Sequence, residues 1–452
     1  MITFRSLARD VEIGANAYLL DFDGTRVLLD AGMHPKREGP EALPDLGGLE
    51  FGSIDAAVLS HAHLDHSGAM PIVQRSHPEM PVYSTEATSA LADALLHNSV
   101  NVMEAKRTEL GRDDYPMFSH REVGRSVKNW EARKTDRPFE VDGSGVECTF
   151  FDSGHVLGAA GAKLEQGGRT IFYTGDVHFE DQTIVRGAAF PESGVDVLVL
   201  ECTRGDSERD PDYTRWAEGE RMAARMENCL KGGGSVMIPV FAMGKTQETL
   251  TLLYELQRAR RLRPMAFHIG GLSVKMTTIY DRFTKRLRRN HSGMHLLRTQ
   301  GLLATPRKRG EMPELKGGSV YAVSSGMMTE HTMSNRLARR FINNPRNLVV
   351  VVGYADPRSP LARVLDSERG DEVELDSRHD PVRRECETER FDFSGHAPRE
   401  HLVDYVARLK PEITILVHGD KPAVERIRSE IAARVPETRV EMPTPGAPIE
   451  IG

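Results

Sequence analysis

The sequence predicts an α/β protein in which a strand-rich part, holding reactive side chains, is interrupted by a parallel, doubly wound strand–helix segment. Three observations carry this. Short apolar runs before about residue 200 stop abruptly at ionisable residues, from about 205 to 370 strands alternate with helices, and beyond about 370 mixed strands return. Strand–helix alternation argues for a parallel sheet, and reactive groups at strand ends are how a rigid sheet presents a site.

In chain order, Tyr18-Leu19-Leu20 and Val27-Leu28-Leu29 flank an Asp23-Gly24 turn, a hairpin signature. Ala56 to Leu59, Cys148 to Phe151, Thr170 to Tyr173, Val195 to Leu200 and Ile413 to Val417 are further apolar runs, followed closely by His61, His155, Asp176, Glu201 and His418. The segment 101–140 is charged and turn-rich and is assigned only loosely. In the alternating part, strands are expected at Ser235 to Val240, Met265 to Ile269, Val320 to Val323 and Leu348 to Val352. Helices are expected near Gly244 to Arg258, Leu272 to Arg288 and Thr332 to Asn343, with a last one near Pro422 to Arg434.

At 452 residues the chain exceeds one ordinary core, and 39% apolar with 28% charged residues is a globular composition. Domain boundaries are placed at 1–204, 205–370 and 371–452. No apolar run approaches the ~20 residues that span a bilayer, the start lacks a signal-peptide core, and Cys148, Cys202, Cys229 and Cys386 share no CxxC spacing. A reduced, cytoplasmic setting without membrane attachment is the expectation. Residues 257–346 hold 19 Lys and Arg against four acids, a net of +15 in a chain of net −7, so the remainder carries −22. Clusters recur at Arg258 to Arg263, Lys285 to Arg289, Arg307-Lys308-Arg309 and Arg339-Arg340. Any one of them reads equally well as a solvated helix face; together they point to a polyanion, with nucleic acid the leading candidate.

His61-Ala62-His63-Leu64-Asp65-His66 packs three histidines and an aspartate into six residues. Imidazole and carboxylate are the donors that suit zinc in a site where water keeps a coordination position. Four adjacent donors cannot all reach one ion, so the spacing invites two, with further donors from distant strand ends. Ser153-Gly154-His155, Thr174-Gly175-Asp176 and His418 supply them. Each alone reads as an ordinary loop residue; beside the cluster they read as ligands.

The order Leu29-Asp30-Ala31-Gly32, then His-x-His-x-Asp-His, Ser-Gly-His and Thr-Gly-Asp resembles the metallo-β-lactamase fold. Glu201 in Leu200-Glu201-Cys202-Thr203-Arg204-Gly205-Asp206, the Pro239 to Glu248 segment, Ser324-Ser325-Gly326-Met327-Met328, Phe393-Ser394-Gly395-His396 and Leu416-Val417-His418-Gly419 are similar to its β-CASP branch of nucleic-acid nucleases. The resemblance spans essentially the whole chain. It implies a metallo-β-lactamase αββα sandwich with an inserted doubly wound α/β β-CASP domain. It further implies that His61, His63 and His155 bind one zinc, that Asp65, His66 and His418 bind a second, and that Asp176 bridges both. Asp30 would orient a ligand, or else serve as a structural Asp in a tight turn. Glu201 would orient His396, the family's proposed general acid, with Asp65 also in the catalytic set. Ser324, Ser325 and Gly326, between a strand and a helix, would help hold substrate phosphates. The implied partner is RNA, single-stranded by preference, and a homodimer is compatible with the family.

Gly244-Lys245-Thr246 is not a P-loop, because Pro239 stands where its first Gly is required. Gly353-Tyr354 leads into Ala355-Asp356-Pro357 where the family shows a Gly-Thr-x-Gly turn, and Arg204 replaces a common Tyr. The expected activity is two-zinc hydrolysis of RNA phosphodiesters, endonucleolytic, 5′-exonucleolytic or both. The alternatives are a DNA nuclease of the same branch, a small-ester or thioester hydrolase, and an inactive nucleic-acid-binding homologue.

Overall fold

The computed structural model describes residues 1–141, 143–299, 303–304 and 313–452; the Arg307-Lys308-Arg309 cluster lies outside them. The chain divides into two compact units, one of residues 1–181, 187–209 and 396–452, the other of residues 182–186 and 210–395.

Among the described residues the first unit holds two seven-stranded sheets. One runs in the order Pro448–Glu450, Ile2–Ser6, Tyr18–Phe22, Thr25–Leu29, Ala56–Val58, Val82–Ser84, Trp130–Ala132. The other runs Arg439–Glu441, Ile413–Val417, Val197–Glu201, Arg169–Tyr173, Ala160–Gln166, Glu147–Asp152, Phe139–Glu140. Their inner faces share one apolar core, with Phe4, Leu20, Val27, Leu29 and Val58 from the first sheet against Phe150, Leu164, Ile171, Val197 and Ile415 from the second. The helices Arg399–Leu409 and Lys421–Arg434 cover the outside of the second sheet through Leu402, Val406, Val424 and Ile427, packed with Leu198, Leu200 and Leu416.

Local chemistry explains the elements. Asp23 and Gly24 sit at φ 53° and 108°, the left-handed pair that a two-residue hairpin turn requires. The strands Val197–Glu201 and Ile413–Val417 pair in parallel and are buried along their whole length, as a central parallel strand must be to read as a continuous apolar run. Their register sets Glu201 beside Val417, delivering Glu201 and His418 to the same edge. The loosely assigned region 101–140 opens on the second part of a 25-residue helix, Glu86–Leu110, capped by Thr85 accepting from the Thr88 amide and ended by Gly111 at φ 63°. Its Leu96, Val100 and Met103 pack on Phe118 and Val123. The expectation of mostly short strands before residue 200 misses this helix, because its first half is rich in Ala and Leu without Gly or Pro breaks while its second half is merely charged.

In the second unit six strands form an all-parallel sheet in the order Leu303–Ala304, Ala266–Ile269, Ser319–Val323, Val236–Pro239, Leu348–Val351, Glu387–Arg390. The helices Arg215–Lys231 and Lys245–Arg258 cover one face through Met222, Met226, Leu250 and Leu253. The helix Met333–Phe341 covers the other through Leu337 and Phe341. Two layers of helix around a parallel sheet are the doubly wound arrangement. The helix expected over Leu272 to Arg288 spans Gly271–Arg282 and stops at Phe283. Residues 371–395 belong to this unit, since Glu387–Arg390 pairs with Leu348–Val351.

Candidate metal centre

Every ionisable residue that ends an apolar run of the first unit converges on one buried cluster. His61 follows Ala56–Val58, and Asp65 and His66 lie on the short helix Leu64–Ser67. Asp176 follows Arg169–Tyr173, and His155 follows Glu147–Asp152. Close backbone approach seats the helix: a Cβ at Gly32 would lie 1.7 Å from the Asp65 carbonyl oxygen, so only glycine fits.

His63 Nδ1 lies 3.0 Å from His61 Nε2 and 3.1 Å from His155 Nε2, and both of those nitrogens lie 3.4 Å from Asp176 Oδ2. Four donors at about 2.05 Å from a tetrahedral zinc would stand about 3.3 Å apart. These distances match that spacing. On the other side of Asp176, its Oδ1 lies 3.2 Å from His66 Nε2 and 2.8 Å from His418 Nδ1, while His418 Nε2 is 3.6 Å from Asp65 Oδ2. The ligand-type atoms of His61, His63, His155 and Asp176 all fall within 4.8 Å of one another, as do those of Asp65, His66 and His418.

The electrostatics fit cations. Burial, reinforced by the neighbouring His66, holds the His61 imidazole well below its usual pKa, and burial also lowers His63, so both offer lone pairs. Burial works against charge on His418, yet the carboxylates of Asp176 and Asp65 outweigh it and push that ring up to about 10. Burial likewise opposes charge on His66, but Asp176 and Asp30 raise it well above the ordinary range. Asp176 is itself held well below the usual carboxylate range by His418, His66 and His61, despite burial. His418 Nε2 is buried without a hydrogen-bond partner among the described residues, a cost of about 1–3 kcal/mol that a coordinated ion would remove. The residues present therefore fit metal binding.

Asp30, fully buried at φ 59°, organises this arrangement. It accepts from the Ser60 amide and hydroxyl (both 2.7 Å), from the Tyr173 hydroxyl at 2.6 Å and from His66 Nδ1 at 2.7 Å. The Ser60 oxygen lies 3.1 Å from His61 Nδ1. One carboxylate thus holds the protons of His66 and, through Ser60, His61 on Nδ1, leaving both Nε2 atoms turned toward Asp176. Orienting groups of this kind tune ligand basicity.

At the rim, His396 Nδ1 lies 3.1 and 3.2 Å from the two Glu201 oxygens and 4.0 Å from Asp176 Oδ2. Glu201 is buried and fixed, accepting from the Val177 and Thr203 amides. The structure thus brings together His61, His63, Asp65, His66, His155, Asp176, Glu201, His396 and His418, with Asp30 behind them. Ser324, Ser325 and Gly326 lie in the second unit, in the loop after Ser319–Val323. There the Ser325 hydroxyl accepts from the Thr329 amide, its carbonyl accepts from Ser334, and Gly326 packs against the Phe241 ring. Lys245 donates its ammonium to the Phe393 carbonyl, so it is not poised as a P-loop lysine.

Asn16, Ser60 and Tyr173 are absent from the sequence reading. Ser60 directly precedes His61, and Tyr173 directly precedes Thr174-Gly175-Asp176, so adjacency was the available signal. Asn16, whose Nδ2 lies 3.0 Å from His66 Nε2 and whose Oδ1 accepts from Tyr18, had none.

Residues 11–219 match the metallo-β-lactamase superfamily, 246–364 the Beta-Casp domain, and 381–443 the RNA specificity domain of Zn-dependent metallo-hydrolases. These matches support a β-CASP reading: a metallo-β-lactamase domain and a Beta-Casp domain, the combination that defines the metal-dependent β-CASP branch. The chain is 27% identical over 444 residues to the endoribonuclease YSH1 of Saccharomyces cerevisiae, covering 95% of this chain and 56% of that protein. It is 29% identical over 448 residues to the cleavage and polyadenylation specificity factor subunit 3 of Dictyostelium discoideum, covering 96% and 55%. The chain thus spans little more than half the length of these relatives. A protein of unknown function from Enterococcus faecalis shares the fold at a TM-score of 0.59 with 16% identity, covering 99% of this chain and 100% of that one.

Proposed function

We propose that the chain is a zinc-dependent ribonuclease that hydrolyses RNA phosphodiester bonds. The observation that carries the proposal is two adjacent donor sets, one holding Asp176 and the other within 3.2 Å of its Oδ1 through His66 and His418, with the His396–Glu201 pair at their rim. His61, His63 and His155 would hold one ion, Asp65, His66 and His418 a second, and Asp176 would touch both. Zinc bound there would supply Lewis-acid activation of a water for in-line attack and offset charge on the phosphoryl oxygens. The relatives named as endoribonucleases and the matched RNA specificity domain support RNA as substrate.

The protein's own part is to place protons. Glu201, pinned by two backbone amides, keeps a proton on His396 Nδ1. A second proton on that ring is then available on Nε2 for the departing 3′ oxygen, leaving a 5′ phosphate on the downstream product. Asp30 holds His66 and His61 in the tautomer that faces Asp176. A homodimer and a cytoplasmic setting belong to the same proposal.

The test is cleavage of end-labelled single-stranded RNA and DNA of identical sequence by the zinc-loaded protein. RNA cleavage is expected, abolished by a chelator and restored by zinc, with kcat about 10²–10⁴-fold lower in His396→Ala at unchanged zinc content. Cleavage of DNA alone would reassign the substrate. Zinc bound at two per chain without cleavage of either would remove the nuclease reading.

A further inference from the structure

The second unit contains an open cleft of about 400 Å³ that none of the proposed chemistry uses. One wall is apolar: Trp216, 43% exposed on the first turn of the helix Arg215–Lys231, stands with Leu252. The polar wall is formed by Asn290, His291 and Glu255, the last one turn from Leu252 on the helix Lys245–Arg258. This wall is pre-built. Asn290 donates its amide and side chain to the Ile184 and Gln182 carbonyls, and His291 Nε2 lies 2.6 Å from Glu255 Oε1. Arg215, beside Trp216, is held by Glu248 and Thr183.

A large indole left half in solvent at the mouth of a formed cleft is an unusual use of a tryptophan, and the charges around it select its partner. Arg186, exposed, donates Nε to Asn290 Oδ1, and the exposed Lys285 runs its stem alongside Gly293, two residues beyond His291. Neither has an acidic partner among the described residues. Three arginines of this unit are by contrast matched: Arg221 and Arg225 with Glu389, and Arg263 with Glu227. Unmatched cations thus sit beside a flat aromatic face and a rigid wall of donors and acceptors. That combination suits a base and its flanking phosphates: the base stacks on indole, its edge meets Asn290 and His291, and the backbone meets Arg186 and Lys285.

We infer that this cleft is a binding site for one unpaired nucleobase of a single-stranded nucleic acid, with Trp216 as its stacking platform. The inference rests on the nuclease reading for its biological sense, but the two can fail separately.

The chain has two tryptophans, Trp130 and Trp216. In a Trp130→Phe, His396→Ala protein, which reports Trp216 alone and does not turn over, a uridine oligomer of about ten nucleotides is expected to quench emission saturably. The quenching should weaken as salt rises. In the zinc-loaded enzyme, Trp216→Ala should raise KM for single-stranded RNA roughly tenfold with kcat unchanged, the usual scale for loss of one stacked base. Trp216→Phe should retain most of the affinity, since a phenyl ring still stacks. Hydrolysis of bis(p-nitrophenyl) phosphate, which carries no base, should be the same in all three. Arg186→Gln with Lys285→Gln should lower the salt slope of binding by about 1–2. Absence of quenching with unchanged KM overturns the site and leaves a protein partner as the occupant of the cleft. Equal losses in Trp216→Ala and Trp216→Phe overturn stacking as its basis. Quenching without RNA cleavage by the wild-type enzyme removes the nuclease reading and keeps the site; cleavage without quenching does the reverse.

Discussion

The two units use the ends of their strands in opposite ways. In the first, the strand ends carry imidazoles and carboxylates in groups whose ligand-type atoms lie within 4.8 Å of one another, most of them buried. In the second, the parallel strands end on small or apolar residues, Ser324 and Gly353 among them, with Phe241 and Tyr354 left 43% and 58% exposed in the loops that follow. The density of buried charge at the first edge can be held only by an orienting network such as that of Asp30, and it is suited to reactions in which charge develops. An edge of small side chains and exposed rings has little chemistry of its own and is suited to grip.

Substitutions can break or sharpen this contrast. The largest effect is expected from Asp176→Ala, which removes the carboxylate within reach of both ligand sets. Activity should fall at least about 10⁴-fold, several kcal/mol of lost charge stabilisation, with metal content reduced in elemental analysis. If activity survives, the first edge is not the reactive one. Next is Glu248→Ala in the second unit. Its buried carboxylate accepts from the Thr183, Ile184 and Val185 amides and pairs with Arg215 at 3.1 Å. Its loss should cost about 3–5 kcal/mol, read as an earlier denaturant midpoint. Per-zinc kcat measured below that midpoint should be nearly unchanged; a matching collapse in kcat would blur the distinction.

Asp30→Asn leaves the shape of the first edge intact while weakening the acceptor behind His66 and Ser60. A 10–100-fold loss of metal affinity is expected in chelator competition, with a lowered thermal midpoint as well, because the amide nitrogen cannot accept from the buried donors around it. Retained affinity would reduce Asp30 to a structural turn residue. The smallest effect is expected from Arg225→Ala, which breaks exposed pairs with Glu387 and Glu389 and should cost below about 1 kcal/mol. A larger loss would mean that the matched arginines of the second unit are structural.

The sequence made some of this legible and hid the rest for physical reasons. Strands bounded by turn chemistry, such as Tyr18–Phe22 and Thr25–Leu29 around Asp23-Gly24, could be read because the local code is strong. The alternating strands and helices of the second unit could be read because period and punctuation agree. The helix Glu86–Leu110 could not, since its apolar face merges into a charged second half. Among the site residues, the histidines and aspartates stand out because dense ligand-type residues at strand ends have few structural uses. The residues that orient them do not: Asn16, Ser60 and Tyr173 are ordinary polar residues whose significance comes from three-dimensional proximity. The Trp216 cleft is similarly hidden, since its walls come from segments around 182, 216, 252 and 290.

The segment 182–186 has a further consequence. It interrupts the sequence of the first unit but is folded with the second, where its three amides satisfy Glu248. A piece of polypeptide running only from 210 to 395 would keep its sheet and helices and lose those donors, leaving a buried carboxylate facing only Arg215. The insertion is therefore not a self-contained cassette. Any evolutionary transfer of it into another host, or any attempt to shuffle it between relatives, has to carry along a five-residue strap from elsewhere in the gene.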